Sequence, residues 1–224
     1  LSKPMLRHWN SSKEAYMARY TDAVCRLCRR AGVKLYLKGE RCLTPRCAVE
    51  RRRKPPGAQP LRRRRSSDWG LQLREKQKAR QMYGVLERQF RKYYDQAQRQ
   101  RGMAGQYMLE LLERRLDNLV YRLNFADSRN QARQLVRHGH IRVNGKKVDI
   151  PSYQVEVDDV ITWKESSKET GIYSIISADI PKRPIPNWIS LDSDNMTGRV
   201  NSMPEIEDID TDVDMRLIVE HYAR

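Results

Sequence analysis

The chain has 224 residues, with 44 Lys and Arg against 28 Asp and Glu, a formal net charge of +16 and 39% hydrophobic residues. That length allows one large or two small domains around a modest core; no stretch approaches the roughly 18 apolar residues of a membrane span, and no apolar segment near the start reads as an export signal. The cation excess points to nucleic acid, because neutralising phosphates releases their counterions, whereas a membrane-surface helix would need bulky apolar residues opposite its basic face, and none is evident.

Charge is spread unevenly. Residues 17–65 carry 16 basic and 3 acidic side chains, residues 114–147 carry 9 and 2, and residues 191–224 carry 3 and 9. Two basic blocks and an acidic end predict two surfaces facing nucleic acid and one turned to water or protein.

Residues 1–16 have no clean hydrophobic period and read as a disordered or artefactual extension before a start at Met17. The four cysteines follow as Cys25-x2-Cys28-x13-Cys42-x4-Cys47. Two close pairs joined by a short spacer suit tetrahedral thiolate coordination of one structural Zn2+. The 11 Lys and Arg within 26–54 would favour the thiolates. Two disulfides, an iron–sulfur cluster or four free thiols stay open as alternatives. From Arg51 to Arg65 a basic linker follows, in which Pro55, Pro56 and Pro60 exclude a helix.

Ser66-Ser67-Asp68 offers a cap for a polar helix, and a second helix follows with Leu86, Phe90 and Tyr93 or Tyr94 at helical spacing. At that spacing the tyrosines are expected in the core, not stacked on bases. After the Gly102 and Gly105 break, YMLELLERRLDNLVYRL reads as one helix, with Leu109, Leu112, Leu116, Leu119, Val120 and Leu123 on one face. Ser128 caps a further helix that Gly139 ends. Arg129, Arg133 and Arg137 recur on one face of it, beside Gln134 and His138. Asn144-Gly145 then marks a hairpin between His140–Val143 and Lys146–Asp149. Tyr153–Val157 and Val160–Trp163 read as strands, Pro181–Pro186 as a linker, 192–214 as an acidic segment and Leu217–Val219 as a last strand. His138 and His140, flanking Gly139, are not spaced as a metal pair. Ser128 lacks the base of a nucleophile.

The run SRNQARQLVRHGHIRVNGKKVDIPSYQVEVDD resembles the RNA-binding domain named after the fourth small-subunit ribosomal protein. The likeness extends to that protein's bacterial-type, zinc-bearing family, through MARYTDAVCRLCRRAGVKLYLKGERC, DWGLQLREKQKARQMYGVLERQFR, LLERRLDNLVYRLNFADSRNQARQLVRHGHIRVNGKKVDIPSY and WISLD. It covers about 17–224. Family members commonly have Gly-Gln-His-Gly where this chain has Gly57-Ala58-Gln59-Pro60, and Tyr where it has Trp69.

The resemblance implies an α+β fold: a helical N-terminal domain with a zinc knuckle (17–108, completed by 179–224) and a helix–helix–hairpin RNA-binding domain (109–178). It implies that Cys25, Cys28, Cys42 and Cys47 hold one Zn2+. It implies RNA contacts by Arg51, Arg52, Arg53, Arg115, Ser128, Arg129, Gln131, Arg133, Gln134, Arg137, His138, His140, Lys146 and Lys147. The implied function is a structural constituent of the small ribosomal subunit in the cytoplasm, a primary binder of its rRNA that nucleates assembly at a multi-helix junction and contributes to translational accuracy. The implied neighbours are the fifth small-subunit ribosomal protein and the channel by which mRNA enters; neither membrane nor self-association is expected. The alternative is an RNA-binding module of another RNA-processing or regulatory protein, such as a translational repressor. An enzyme using the same module would need a catalytic domain of roughly 150 residues, and no motif for one is present.

Overall fold

A computed structural model describes residues 20, 22–52, 54–58, 67–209 and 211–223. The 1–16 extension, Arg53 and the Arg62–Arg65 end of the linker lie outside the described residues. The first half is helical: α1 (Cys25–Ala31), a 3-10 turn (Gly39–Cys42), α2 (Ala48–Arg51), α3 (Asp68–Met82), α4 (Glu87–Gln98), α5 (Ala104–Glu113), α6 (Leu116–Arg122) and α7 (Arg129–Arg137). Then come β1 (Ile141–Val143), β2 (Lys146–Lys147), β3 (Val160–Trp163), α8 (Glu165–Lys168), α9 (Gly171–Ser177), β4 (Ile189–Asp192), β5 (Thr197–Val200) and α10 (Met215–Tyr222). The five strands form one antiparallel sheet in the order β2-β1-β3-β5-β4.

Two buried clusters organise these elements. Leu35, Met82, Phe90, Tyr93, Tyr94, Met108 and Leu112 make the first, closed by Ile209 and Ile218 from the chain's end. Leu119, Phe125, Leu135, Ile141, Ile161, Trp163 and Trp188 make the second, between α6, α7 and the sheet. The α+β expectation is met. The partition differs in detail: α5 belongs to the first cluster, and the β4–β5 hairpin extends the second cluster's sheet, so only residues beyond about 200 close the first. The hairpin turn rests on Asp192, whose carboxylate accepts the backbone N–H groups of Asp194 and Asn195.

Leu217–Val219 is helical, not a strand. Asp214 Oδ1 accepts the Arg216 N–H at 2.9 Å and caps α10. Ile218 and Tyr222 then face the first cluster, with the Tyr222 ring stacked 4.7 Å from Tyr94. Three apolar residues in a row cannot distinguish strand from helix; the cap and the i, i+4 pair decide. Tyr153–Val157 forms no strand either, only a bridge between Gln154 and Arg115.

The expected long helix breaks at Arg114–Arg115 into α5 and α6. The first N–H groups of α6, on Leu116 and Asp117, find no carbonyl behind them and donate instead to Tyr153 and Pro151 at 2.9 and 3.2 Å. Arg115 is buried in the corner. Its guanidinium pairs in a fork with Asp117 at 3.0 and 2.7 Å and donates to Tyr93 Oη at 2.7 Å.

Beside it, fully buried Glu113 ties the clusters together. Its carboxylate accepts from Tyr83 Oη at 2.6 Å, Asn118 Nδ2 at 2.8 Å, and Arg122 Nε and Nη2 at 3.0 and 2.8 Å. Burial alone would raise its pKa. The Arg122 charge and hydrogen bonds, with help from Arg129 and the Tyr83 hydroxyl, overcome that and hold it at about 2. Because the folded value lies below the ordinary 4.5, the stabilisation is complete above about pH 4.5 and is lost as pH falls toward 2. Glu113→Gln is expected to destabilise the fold by about 3–5 kcal/mol at neutral pH, since it leaves Arg122 uncompensated. Urea melts between pH 7 and 2.5 should show a shallower acid dependence in that variant than in the wild type.

Candidate nucleic-acid interface

Helix α7 starts at Ser128, whose hydroxyl accepts the Gln131 N–H at 3.3 Å, while Gln131 Oε1 accepts the Asp127 N–H at 2.8 Å. This reciprocal exchange resembles a capping box, so both side chains set the helix start. Arg129 is buried as well: its Nε donates to Asn118 Oδ1 at 2.8 Å, and its guanidinium lies 4.5 Å from the Tyr121 ring and 4.9 Å from the Tyr83 ring. The expected RNA contacts at Arg115 and Arg129 are therefore corrected to internal roles. Both guanidiniums belong to the junction between the clusters.

The Arg129–Arg133–Arg137 stripe keeps its helix face but changes depth along it. Arg133 is half-buried and reaches back to Asp117 at 3.3 Å. Gln134, Arg137 and His138 stand exposed. Gly139, at φ +74°, turns the chain into β1. A Cβ there would come within 2.4 Å of Lys147 Cε, so the Lys147 chain lies over the helix end and joins hairpin to helix. Asn144 and Gly145, both at positive φ, form the tight turn beyond.

The result is one edge carrying Arg137, His138, Lys146 and Lys147. Arg137 and Lys146 have no ion-pair partner among the described residues, and Lys147 reaches only Asp149, at 3.8 Å on the surface. Arg142 joins them, directly opposite Lys147 across the β1–β2 ladder. Like charges opposite one another destabilise a sheet, so the pair suits an anion laid across it. Strand alternation between core residues Ile141 and Val143 could have singled Arg142 out. His140 is set back. Its Nδ1 lies 2.9 Å from Ser167 Oγ, and burial, with His138 and Lys164 nearby, keeps its pKa below the ordinary value.

A second basic area surrounds the cysteines. All four are free thiols, and they line one cavity of about 10 Å³ with Lys38, Arg41, Ala48 and Val49. Burial pushes the Cys28 and Cys42 thiols up, and the neighbouring cysteines add to it, against hydrogen bonds from the Leu35 and Lys38 backbone. Among the described residues no set of three or more His, Cys, Asp or Glu side chains is already gathered as a coordination shell. Arg51 and Arg52 lie exposed just beyond, at the end of α2. The cysteine region packs on the first cluster through Cys28, Leu35 and Leu37, and it also touches the turn before α7: Gly39, at φ +59°, lies where a Cβ would come within 2.8 Å of Asp127 Cβ.

Residues 19–113 match the family described as Ribosomal protein S4/S9 N-terminal domain, and residues 114–161 match the S4 domain. The small ribosomal subunit protein uS4 of Heliobacterium modesticaldum is 56% identical over 208 residues, covering 93% of this chain and 100% of that protein. The uS4 of Pelotomaculum thermopropionicum is 53% identical and the uS4A of Clostridium botulinum 55%, over the same shares. The boundary at 113/114 falls at the break between α5 and α6.

Burial separates two kinds of arginine: Arg115 is 2% exposed, whereas Arg137 stands exposed. Arg115→Ala is expected to lower stability by about 3–5 kcal/mol by leaving Asp117 buried with less compensation. Arg137→Ala is expected to stay within about 0.5 kcal/mol of wild type. Urea denaturation of both variants at pH 7 measures the contrast.

Proposed function

The chain belongs to the bacterial-type ribosomal protein S4 family, and on that premise we propose that it is a structural, rRNA-binding protein of the small ribosomal subunit. The observation that carries this reading is the exposed basic edge of α7 and the β1–β2 hairpin, where Arg137 and Lys146 have no ion-pair partner among the described residues, held on a rigid junction. Helix and hairpin fix the spacing of Arg137, His138, Arg142, Lys146 and Lys147, so the edge reads the shape of a folded RNA through phosphates and sugars. Arginine forks suit phosphate oxygens. In this reading the protein acts by holding RNA.

In the finer reading, this chain binds early at a multi-helix junction of the rRNA and nucleates assembly there. It abuts the fifth small-subunit protein, lies near the channel by which mRNA enters, and contributes to translational accuracy from the ribosome in the cytoplasm. Two separated basic areas support contacts to more than one RNA helix. The acidic chain end supports a protein-facing side.

Cys25, Cys28, Cys42 and Cys47 fit one structural Zn2+: two pairs face one small cavity, no disulfide consumes them, and no open donor position makes the site catalytic. When bound, the ion would favour the thiolates over thiols that burial now raises, and pin α1 to α2. Elemental analysis of the purified protein is expected to give about one zinc per chain; equal metal content after all four Cys→Ser changes would refute the site.

Filter binding to a small-subunit rRNA transcript and to duplex DNA of equal charge tests the main reading. The transcript is expected to bind more tightly at moderate salt. Arg137→Ala should weaken that binding and reduce the salt slope by about 1. Equal affinity for the two polyanions would overturn it.

A further inference from the structure

The geometry points to Arg29 as a positioning residue for the basic segment after the cysteines, an inference that rests on the RNA-binding reading above. Of the three arginines of α1, Arg26 and Arg30 are exposed, whereas Arg29 is half-buried and turned inward. Its Nε lies 3.2 Å from the Arg52 carbonyl and 3.0 Å from the Lys54 carbonyl, and its Nη2 lies 3.4 Å from the Pro55 carbonyl.

The segment needs such a partner. The last helical hydrogen bonds of α2 are those from Arg51 to Cys47 and from Arg52 to Ala48. Beyond them Pro55 and Pro56 supply no N–H, and Arg51, Arg52 and Lys54 repel one another and the cations of α1. A guanidinium offers several donors in one planar fork and can serve three carbonyls at once; an ammonium is a compact point charge without that reach. Arg29 thus converts its charge into a fixed path for the backbone, and Arg51, Arg52 and Lys54 stay exposed beside Arg26 and Arg30 as one cationic face. None of these five has a carboxylate partner among the described residues.

The full chain, with Arg29→Lys and Arg29→Gln, tests this. The readouts are affinity and salt slope on a small-subunit rRNA transcript, tryptic cleavage after Arg51 and Arg52 followed by mass spectrometry, and thermal midpoint. A positioning role predicts that Lys does not rescue: both variants bind roughly tenfold more weakly, both lose salt slope, and both are cut faster at these sites with an unchanged midpoint. A direct phosphate contact predicts that Lys behaves as wild type while Gln loses about one unit of slope, and that result overturns the assignment. A lowered midpoint in both variants would make Arg29 a support of the knuckle's fold and overturns it also. Absence of binding by the wild-type chain would remove the RNA reading itself, and this inference with it; binding by the wild type with no difference among the three removes the inference alone.

Discussion

The buried carboxylate of Glu113 is the constraint on which the rest of the architecture depends. It ends α5, in the first cluster, and is held by Arg122 at the end of α6, in the second, with Tyr83 and Asn118 closing the remaining lone pairs. A charge at zero exposure is tolerable only when paired and fully hydrogen-bonded. Its geometry therefore fixes how α6 leaves α5. Asn118, held by Glu113, in turn accepts from Arg129 and so sets the first turn of α7. The exposed edge around Arg137 is two turns further along that helix. The direction in which the protein presents its basic side chains is thus decided inside the junction.

One short strap reinforces the same corner. Arg183, within the Pro181–Pro186 stretch, donates to the Tyr121, Ala126 and Asp127 carbonyls at 3.0, 2.7 and 2.9 Å and to Asn124 Oδ1 at 3.1 Å, and lies 4.1 Å over the Tyr121 ring. These carbonyls belong to the end of α6 and the turn after it, where the regular helical bonding stops. Lys182 beside it reaches Glu40, Asp127 and Asp179 at 3.0, 3.3 and 3.4 Å. A segment legible only as a linker therefore joins the cysteine loop, the turn before α7 and the end of α6.

The sequence made the fold class, the helix starts at Ser67 and Ser128, the Asn144-Gly145 hairpin and the exposed end of the basic stripe legible, because caps, turns and hydrophobic periods are local signals. It failed where a long-range partner decides. The α5–α6 break is invisible in an unbroken leucine pattern; it exists because carbonyls of Pro151 and Tyr153 replace helical ones. Leu217–Val219 carry strand-formers but take a helix from Asp214 and the Tyr94–Tyr222 stack. Arg115 and Arg129 have the same residue type as Arg137, and no local rule distinguishes an arginine that meets Asp117 or Asn118 from one that meets solvent.

That ambiguity has a physical root. Among the described residues, Arg115, Arg122, Arg129 and Arg183 crowd the junction around three carboxylates, Glu113, Asp117 and Asp127. The uncompensated charge is carried by tyrosine faces and main-chain carbonyls, which soften it without cancelling it. Positive charge inside a low-dielectric corner adds its field to the nearby surface, where Arg133 and Arg137 emerge. The same arginines therefore do two things at once: they hold the clusters together, and they raise the potential of the edge that a polyanion would meet. A chain built this way gains stability from any phosphate backbone lying across that edge, since binding to the folded form alone shifts the folding equilibrium toward it. Fold and binding surface are coupled through one set of charges.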